Sequence, residues 1–164
     1  MNNRKIYVLI FILLGGLIGL YYYNKYKVAP KIDLSKLELL DADTVQFDLK
    51  SLKGKKVIIS FYASWCGNCL DEFKSLNKIK NSKLSDITVL AVTDESMEKM
   101  VSFRDRKQYP FTFLKLNAAF MDIGINSIPV VYLLNTKGEL VYENLGYVDW
   151  EDESTLNHLK NLME

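Results

Sequence analysis

The chain opens with 18 uncharged residues in a row, 6–23 (IYVLIFILLGGLIGLYYY). Read as a helix, this run is about 27 Å long, close to the hydrocarbon thickness of a bilayer. Further on, the apolar positions come in shorter groups with two different periods. Residues 45–49 (VQFDL) alternate apolar and polar, which predicts a half-buried strand, and residues 52–55 (LKGK) predict a turn. Residues 56–62 (KVIISFY) form a nearly continuous apolar, β-branched and aromatic run, as in a central strand buried on both faces. From Cys66 to about residue 84 the period changes. Leu70, Phe73, Leu76 and Ile79 recur every three positions and predict one face of a helix.

A second buried strand is predicted over 87–92 (ITVLAV). A helix capped by Thr93 or Asp94 follows to about residue 107, with Met97, Met100, Val101 and Phe103 facing inward. Pro110 ends that unit. Residues 111–116 predict a short strand, 118–123 a short helix and 129–134 (PVVYLL) another strand. Residues 135–138 (NTKG) carry turn chemistry, and 139–147 alternate as a hairpin partner. Residues 150–163 predict a closing helix with Leu156, Leu159 and Leu162 on one stripe. Strands alternating with helices in this way indicate an α/β domain.

Charge divides the chain in the same place as hydropathy. Arg4, Lys5, Lys25, Lys27 and Lys31 are five of the 21 Lys and Arg, and no acid lies among the first 31 residues. The other 133 residues hold 16 bases against 20 acids, a net of −4, so the overall +1 joins a basic apolar head to a mildly acidic body. The organisation predicted is a short tail (1–5), a transmembrane anchor (6–23), a stalk (24–39) and one domain (40–164). Tyr21, Tyr22, Tyr23 and Tyr26 would form an interfacial belt at the end of the anchor. The alternative, a cleaved signal peptide, calls for small residues at a cleavage site, whereas Tyr-Tyr-Tyr-Asn-Lys follows Leu20. Arg4 and Lys5 favour a cytoplasmic N-terminus, and Lys25, Lys27 and Lys31 on the far side oppose that orientation. Gly15 and Gly19 give a GxxxG spacing, for which a small-residue stretch facing lipid is the plainer account.

Composition narrows the chemistry. A single His, at 158, excludes a multi-His metal site, and two Cys cannot build a four-Cys zinc site or a disulfide scaffold. A body at −4 offers no broad footprint for nucleic acid. The two Cys lie in Trp65-Cys66-Gly67-Asn68-Cys69, between a predicted strand and a predicted helix. Unpaired N–H groups and the dipole at a helix N-terminus stabilise an anion, so a Cys66 thiolate is favoured there. Cys66 is then the exposed nucleophile, Cys69 the shielded resolving thiol, and Gly67 and Asn68 tune the pair. Half of a zinc site and a static disulfide are the competing accounts of the spacing. Ser127-Ile128-Pro129 precedes another buried strand, where proline removes a ladder donor. A tight turn, a cis bond or a plain strand-opening proline all fit.

Together, the WCxxC after a buried strand, the β-α order and Ile128-Pro129 before a late strand resemble the thioredoxin fold over roughly residues 40–162. With an anchor in front, the chain looks most like the membrane-anchored TlpA/ResA-type thiol-disulfide oxidoreductases. The turn at 135–139 and Gly146 are similar to that family's hairpin. The resemblance implies a central mixed β-sheet flanked by helices and a cis Pro129 packed opposite Cys66. It also implies a substrate-binding surface at Trp65, Ile128 and Pro129, with the Ile128 backbone pairing to an extended substrate segment. Trp65 would shield the sulfurs, with simple packing as the alternative. Glu72 matches the glutamate this family places near its CxxC, where it would manage the Cys69 proton. A solvated helix Glu beside Asp71 is the alternative. Thioredoxins have a buried Asp six residues before the first Cys where this chain has Ser60, and many relatives have a Pro where it has Lys74.

The function expected is a membrane-anchored enzyme that reduces disulfides of exported proteins through Cys66 and Cys69. It would sit in the cytoplasmic membrane with its domain on the periplasmic or extracytoplasmic side. A membrane-located thiol electron donor would re-reduce the pair, because the sequence holds no nucleotide- or flavin-binding motif. The resemblance implies no cofactor beyond the redox disulfide, and no metal. The alternatives are a dithiol oxidase or isomerase of the same fold, and a non-enzymatic anchored binding module.

Overall fold

A computed structural model describes residues 3–25 and 29–164. Helix α1 (Asn3–Lys25) contains the apolar run; its window Arg4–Tyr21 has a mean hydropathy of 1.8 and none of it is buried. By length and composition α1 is a candidate membrane span. Met1, Asn2, Tyr26 and Lys27 lie outside the described residues, as do the side chains of Tyr22 and Tyr23, so the tail and the expected tyrosine belt fall largely beyond them.

The domain is built on β1 (Leu39–Leu40), β2 (Gln46–Phe47), β3 (Lys56–Phe61), β4 (Ile87–Thr93), β5 (Thr112–Leu116), β6 (Val130–Leu134) and β7 (Leu140–Leu145). These strands, all within the described residues, form one mixed sheet in the order β2-β1-β5-β4-β3-β6-β7. The parallel pairs β3–β4 and β4–β5 lie at its centre, and β6 and β7 continue it antiparallel. The run at 56–62 is nearly all apolar because β3 is covered on both faces. Ile58 and Tyr62 face the cluster built by α2 (Gly67–Lys80), α3 (Met97–Lys107) and α4 (Glu153–Leu162). Val57, Ile59 and Phe61 face a second cluster closed by Leu52, Phe120 and Ile125. Such burial contributes roughly 1.5–3 kcal/mol per large apolar side chain.

Several expected boundaries move. The strand expected over 45–49 is only Gln46–Phe47, because the Asp48 carboxylate accepts the Lys50 N–H and starts a 3₁₀ turn, Leu49–Leu52. The second helix is capped by Ser96 rather than by Thr93, which is still in β4, or Asp94. Residues 118–123 form a 3₁₀ turn, Phe120–Ile123, and the active-site helix ends at Lys80. Residues 29–39, expected as stalk, lie against the domain. Ala29 is buried, the Tyr132 hydroxyl donates to the Pro30 carbonyl, and Leu34 and Leu37 pack on the second cluster.

Topology sets where the chemistry lies. β3 ends at Phe61, level with Val92 at the end of β4 and Val130 at the start of β6. The loops after β3 and β4 and the loop before β6 therefore meet at one end of the sheet.

Candidate active site

Cys66 and Cys69 are joined as a disulfide, with Cα atoms 5.3 Å apart. Cys66 is the N-cap of α2, and its sulfur accepts the Cys69 backbone N–H at 3.2 Å. Sulfur therefore occupies the place that a Ser or Asp oxygen fills in an ordinary helix cap, facing the unpaired amides and positive dipole end that favour a thiolate. The pair is asymmetric: Cys66 is 7% exposed and Cys69 is fully buried. Gly67 and Asn68 are exposed in the first turn, and Trp65, directly before Cys66 in the chain, is 75% exposed.

The Ile128–Pro129 peptide is cis, and Cys66 Sγ lies 3.9 Å from the Ile128 carbonyl oxygen. Residues 62 positions apart thus meet where β3 and β6 pair. Gly146, with φ +103°, donates its N–H to the Pro129 carbonyl at 2.8 Å and fixes the end of β7 against this loop.

Glu72 is fully buried, on the same face of α2 as Cys69, Phe73 and Leu76. Ser60 Oγ donates to its Oε1 at 2.8 Å and the Val148 N–H donates to its Oε2 at 3.1 Å. Burial pushes the carboxyl up to about 7, and the two hydrogen bonds only partly offset that cost. The Tyr142 phenol is also pushed up, by burial first and then by the Glu72 charge. Ser60, which replaces the Asp found at that position in thioredoxins, is therefore wired to Glu72.

A second carboxylate holds the loop and was not singled out from sequence. Glu95 accepts the Ser64 N–H at 2.6 Å and the Ser64 hydroxyl at 2.9 Å, and its own N–H donates to Thr93 Oγ1 at 3.2 Å. Its side chain is 8% exposed. This clamp joins the loop after β4 to the residue directly before Trp65. The two partners are 31 positions apart, with no local spacing to mark them.

His158 is exposed on α4, Met100 is buried and Met97 half-buried. Among the described residues, no group of three or more His, Cys, Asp or Glu is placed to hold a metal ion.

The family model described as Redoxin matches residues 27–160. Thioredoxin-like protein YneN of Bacillus subtilis is 31% identical over 145 residues, 77% of this chain and 82% of that protein. Thiol-disulfide oxidoreductase ResA of the same organism is 26% identical across 99% of this chain and 96% of its own. Among solved structures, the exposed lipoprotein thioredoxin Etrx1 of Streptococcus pneumoniae matches with a TM-score of 0.58 and 26% identity, covering 76% of this chain and 97% of that one. A secreted Mycobacterium tuberculosis disulfide oxidoreductase shares the fold, with a TM-score of 0.60 at 20% identity over 77% of this chain and 97% of that one.

Proposed function

The chain belongs to the Redoxin family, and from that premise we propose that it is a membrane-anchored thiol–disulfide oxidoreductase that reduces disulfides of exported proteins. The observation that carries this reading is the Cys66–Cys69 disulfide at the start of α2, with Cys66 slightly exposed, Cys69 fully buried, and the half-buried Ile128 beside Cys66.

In the reduced enzyme Cys66 is the thiolate. It attacks a substrate disulfide, forms a mixed disulfide and expels one substrate thiolate. Cys69 then loses its proton and attacks Cys66 Sγ. The second substrate thiol leaves, and the enzyme retains the Cys66–Cys69 disulfide. Two electrons have passed to the substrate. Glu72, held by Ser60 and Val148, is suited to take the Cys69 proton because its carboxyl titrates near neutrality. Trp65, Ile128 and Pro129 form the substrate surface, with an extended segment pairing along the Ile128 backbone. Gly67 and Asn68 set the poise of the pair. A thiol donor in the membrane restores the dithiol.

Helix α1 is the anchor, with residues 6–23 in the bilayer of the cytoplasmic membrane and the domain on its extracytoplasmic side. Support for that side comes from Etrx1, whose description is that of an exposed lipoprotein. Cys69→Ser in cells tests the function. The variant should accumulate covalent complexes through Cys66, sensitive to reductant, with exported disulfide proteins. Cys66→Ser should accumulate none. Absence of any covalent partner with Cys69→Ser would refute the proposal.

A further inference from the structure

The end of the domain opposite the disulfide carries a feature that thiol exchange does not use. A cavity of about 630 Å³ opens there, floored by Leu52, Val57 and Leu134. Four exposed lysines line it: Lys50, Lys53, Lys55 and Lys137. They come from two turns that are tied together, since the Gly54 N–H donates to the Thr136 carbonyl at 2.9 Å. Against four cations the lining holds one carboxylate, Asp48, which accepts the Lys50 N–H. Among the described residues none of the four lysines forms an ion pair, whereas neighbouring Lys56 is paired with Glu164 and Asp86. In a body whose net charge is negative, four unpaired lysines around an apolar floor are a local reversal of sign.

The chain also limits where this cavity can be. Leu34, on its wall, is nine residues past the end of α1, so at most about 30 Å of extended chain separates the two. A basic rim on that tether lies within reach of the bilayer surface, where anionic lipid attracts juxtamembrane lysines. The cavity lies at the start of β3 and the disulfide follows its end, six residues or about 20 Å away.

We propose that this cavity receives an anionic lipid head group of the bilayer that α1 spans, docking the domain on the membrane with Cys66 and Trp65 facing away from it. The lysines meet the phosphate, and Leu52, Val57 and Leu134 meet the adjoining glycerol and acyl carbons. This rests on the anchor assignment above, and the experiment separates the two.

The full chain is placed in nanodiscs of phosphatidylcholine alone, or of phosphatidylcholine with phosphatidylglycerol, and lysine acetylation rates are read by mass spectrometry. Lys74 on α2 and Lys99 at the start of α3, nearer the disulfide end, are internal references. Co-elution with both disc types is the anchor result. Given that, Lys50, Lys53, Lys55 and Lys137 should react about fivefold more slowly than the references only in the phosphatidylglycerol discs, since each such lysine is attracted by about that factor. Lys31 and Lys36, on the segment between α1 and the cavity, should be slowed with them in the wild type; replacing the four by Gln should release the domain, seen as wild-type-like insulin reduction together with loss of that slowing at Lys31 and Lys36. Equal rates in the two disc types would overturn the docking and leave the anchor standing; failure to co-elute would overturn both. Protection by soluble glycerol phosphate in phosphatidylcholine discs would assign the cavity to a soluble anion and likewise overturn the docking.

Discussion

Glu72 has none of its surface exposed, and its carboxyl titrates near 7 against an ordinary value of 4.5, because burial disfavours the charged form. The sign of its effect on stability follows. Between those two values the folded chain holds a proton that the unfolded chain has released, so the stabilisation is complete below about pH 4.5 and is lost as pH rises to about 7. The loss is on the order of 3 kcal/mol by pH 8. Glu72→Gln should remove most of that slope, which denaturant titrations of the oxidised protein across this range will measure. An unchanged slope would mean that another group carries it. The same variant should slow the resolving step and lengthen the life of the mixed disulfide. Glu72 is legible in the sequence by its spacing of three from Cys69. Its burial and its bonds to Ser60 and Val148 are not, since they depend on a strand 12 positions back and a loop 76 positions on.

Elements that carry a long apolar pattern are legible because the pattern is itself the cause of their burial: β3, β4 and β6 lie where the apolar runs predict, and α2 begins where its periodicity predicts and ends sooner, at Lys80. The edge is different. β1 is two residues, too short to show a period, and β2 keeps only two of the five residues whose alternation predicts a strand; both form because Leu39 pairs with Phe47 on one side and Leu116 on the other. Helix starts shift for a related reason. Thr93, Asp94 and Ser96 are all good caps, and the choice of Ser96 follows from β4 running through Thr93 and from Asp94 turning instead to the Phe120 N–H. Glu95 is then free to clamp Ser64. Glu95→Ala leaves a part-buried N–H and hydroxyl without their acceptor and should cost about 1–3 kcal/mol. It should also lower the rate of disulfide reduction, because the loop carrying Cys66 loses its hold, with Glu95→Gln recovering part of both. Denaturation midpoints and single-turnover rates will check this; a stability loss with an unchanged rate would confine Glu95 to folding.

The apolar helix α1 and the α/β domain are distinct parts of the molecule. α1 is a candidate membrane span, and the domain presents its disulfide at one end of the sheet and an unpaired basic cavity at the other. The division between apolar head and redox body is visible in charge and hydropathy alone. The packing of residues 29–39 onto the domain is not, because Ala29, Leu34 and Leu37 gain their partners only from residues distant in sequence. On the proposed function, Cys66 and Cys69 form a reversible pair poised to give electrons away. Equilibrating the full chain in detergent with dithiothreitol buffers, and reading the reduced fraction by thiol alkylation, gives its potential. A value near that of thioredoxin, about −270 mV or lower, is predicted, and a value near about −120 mV, typical of a dithiol oxidase, would contradict it.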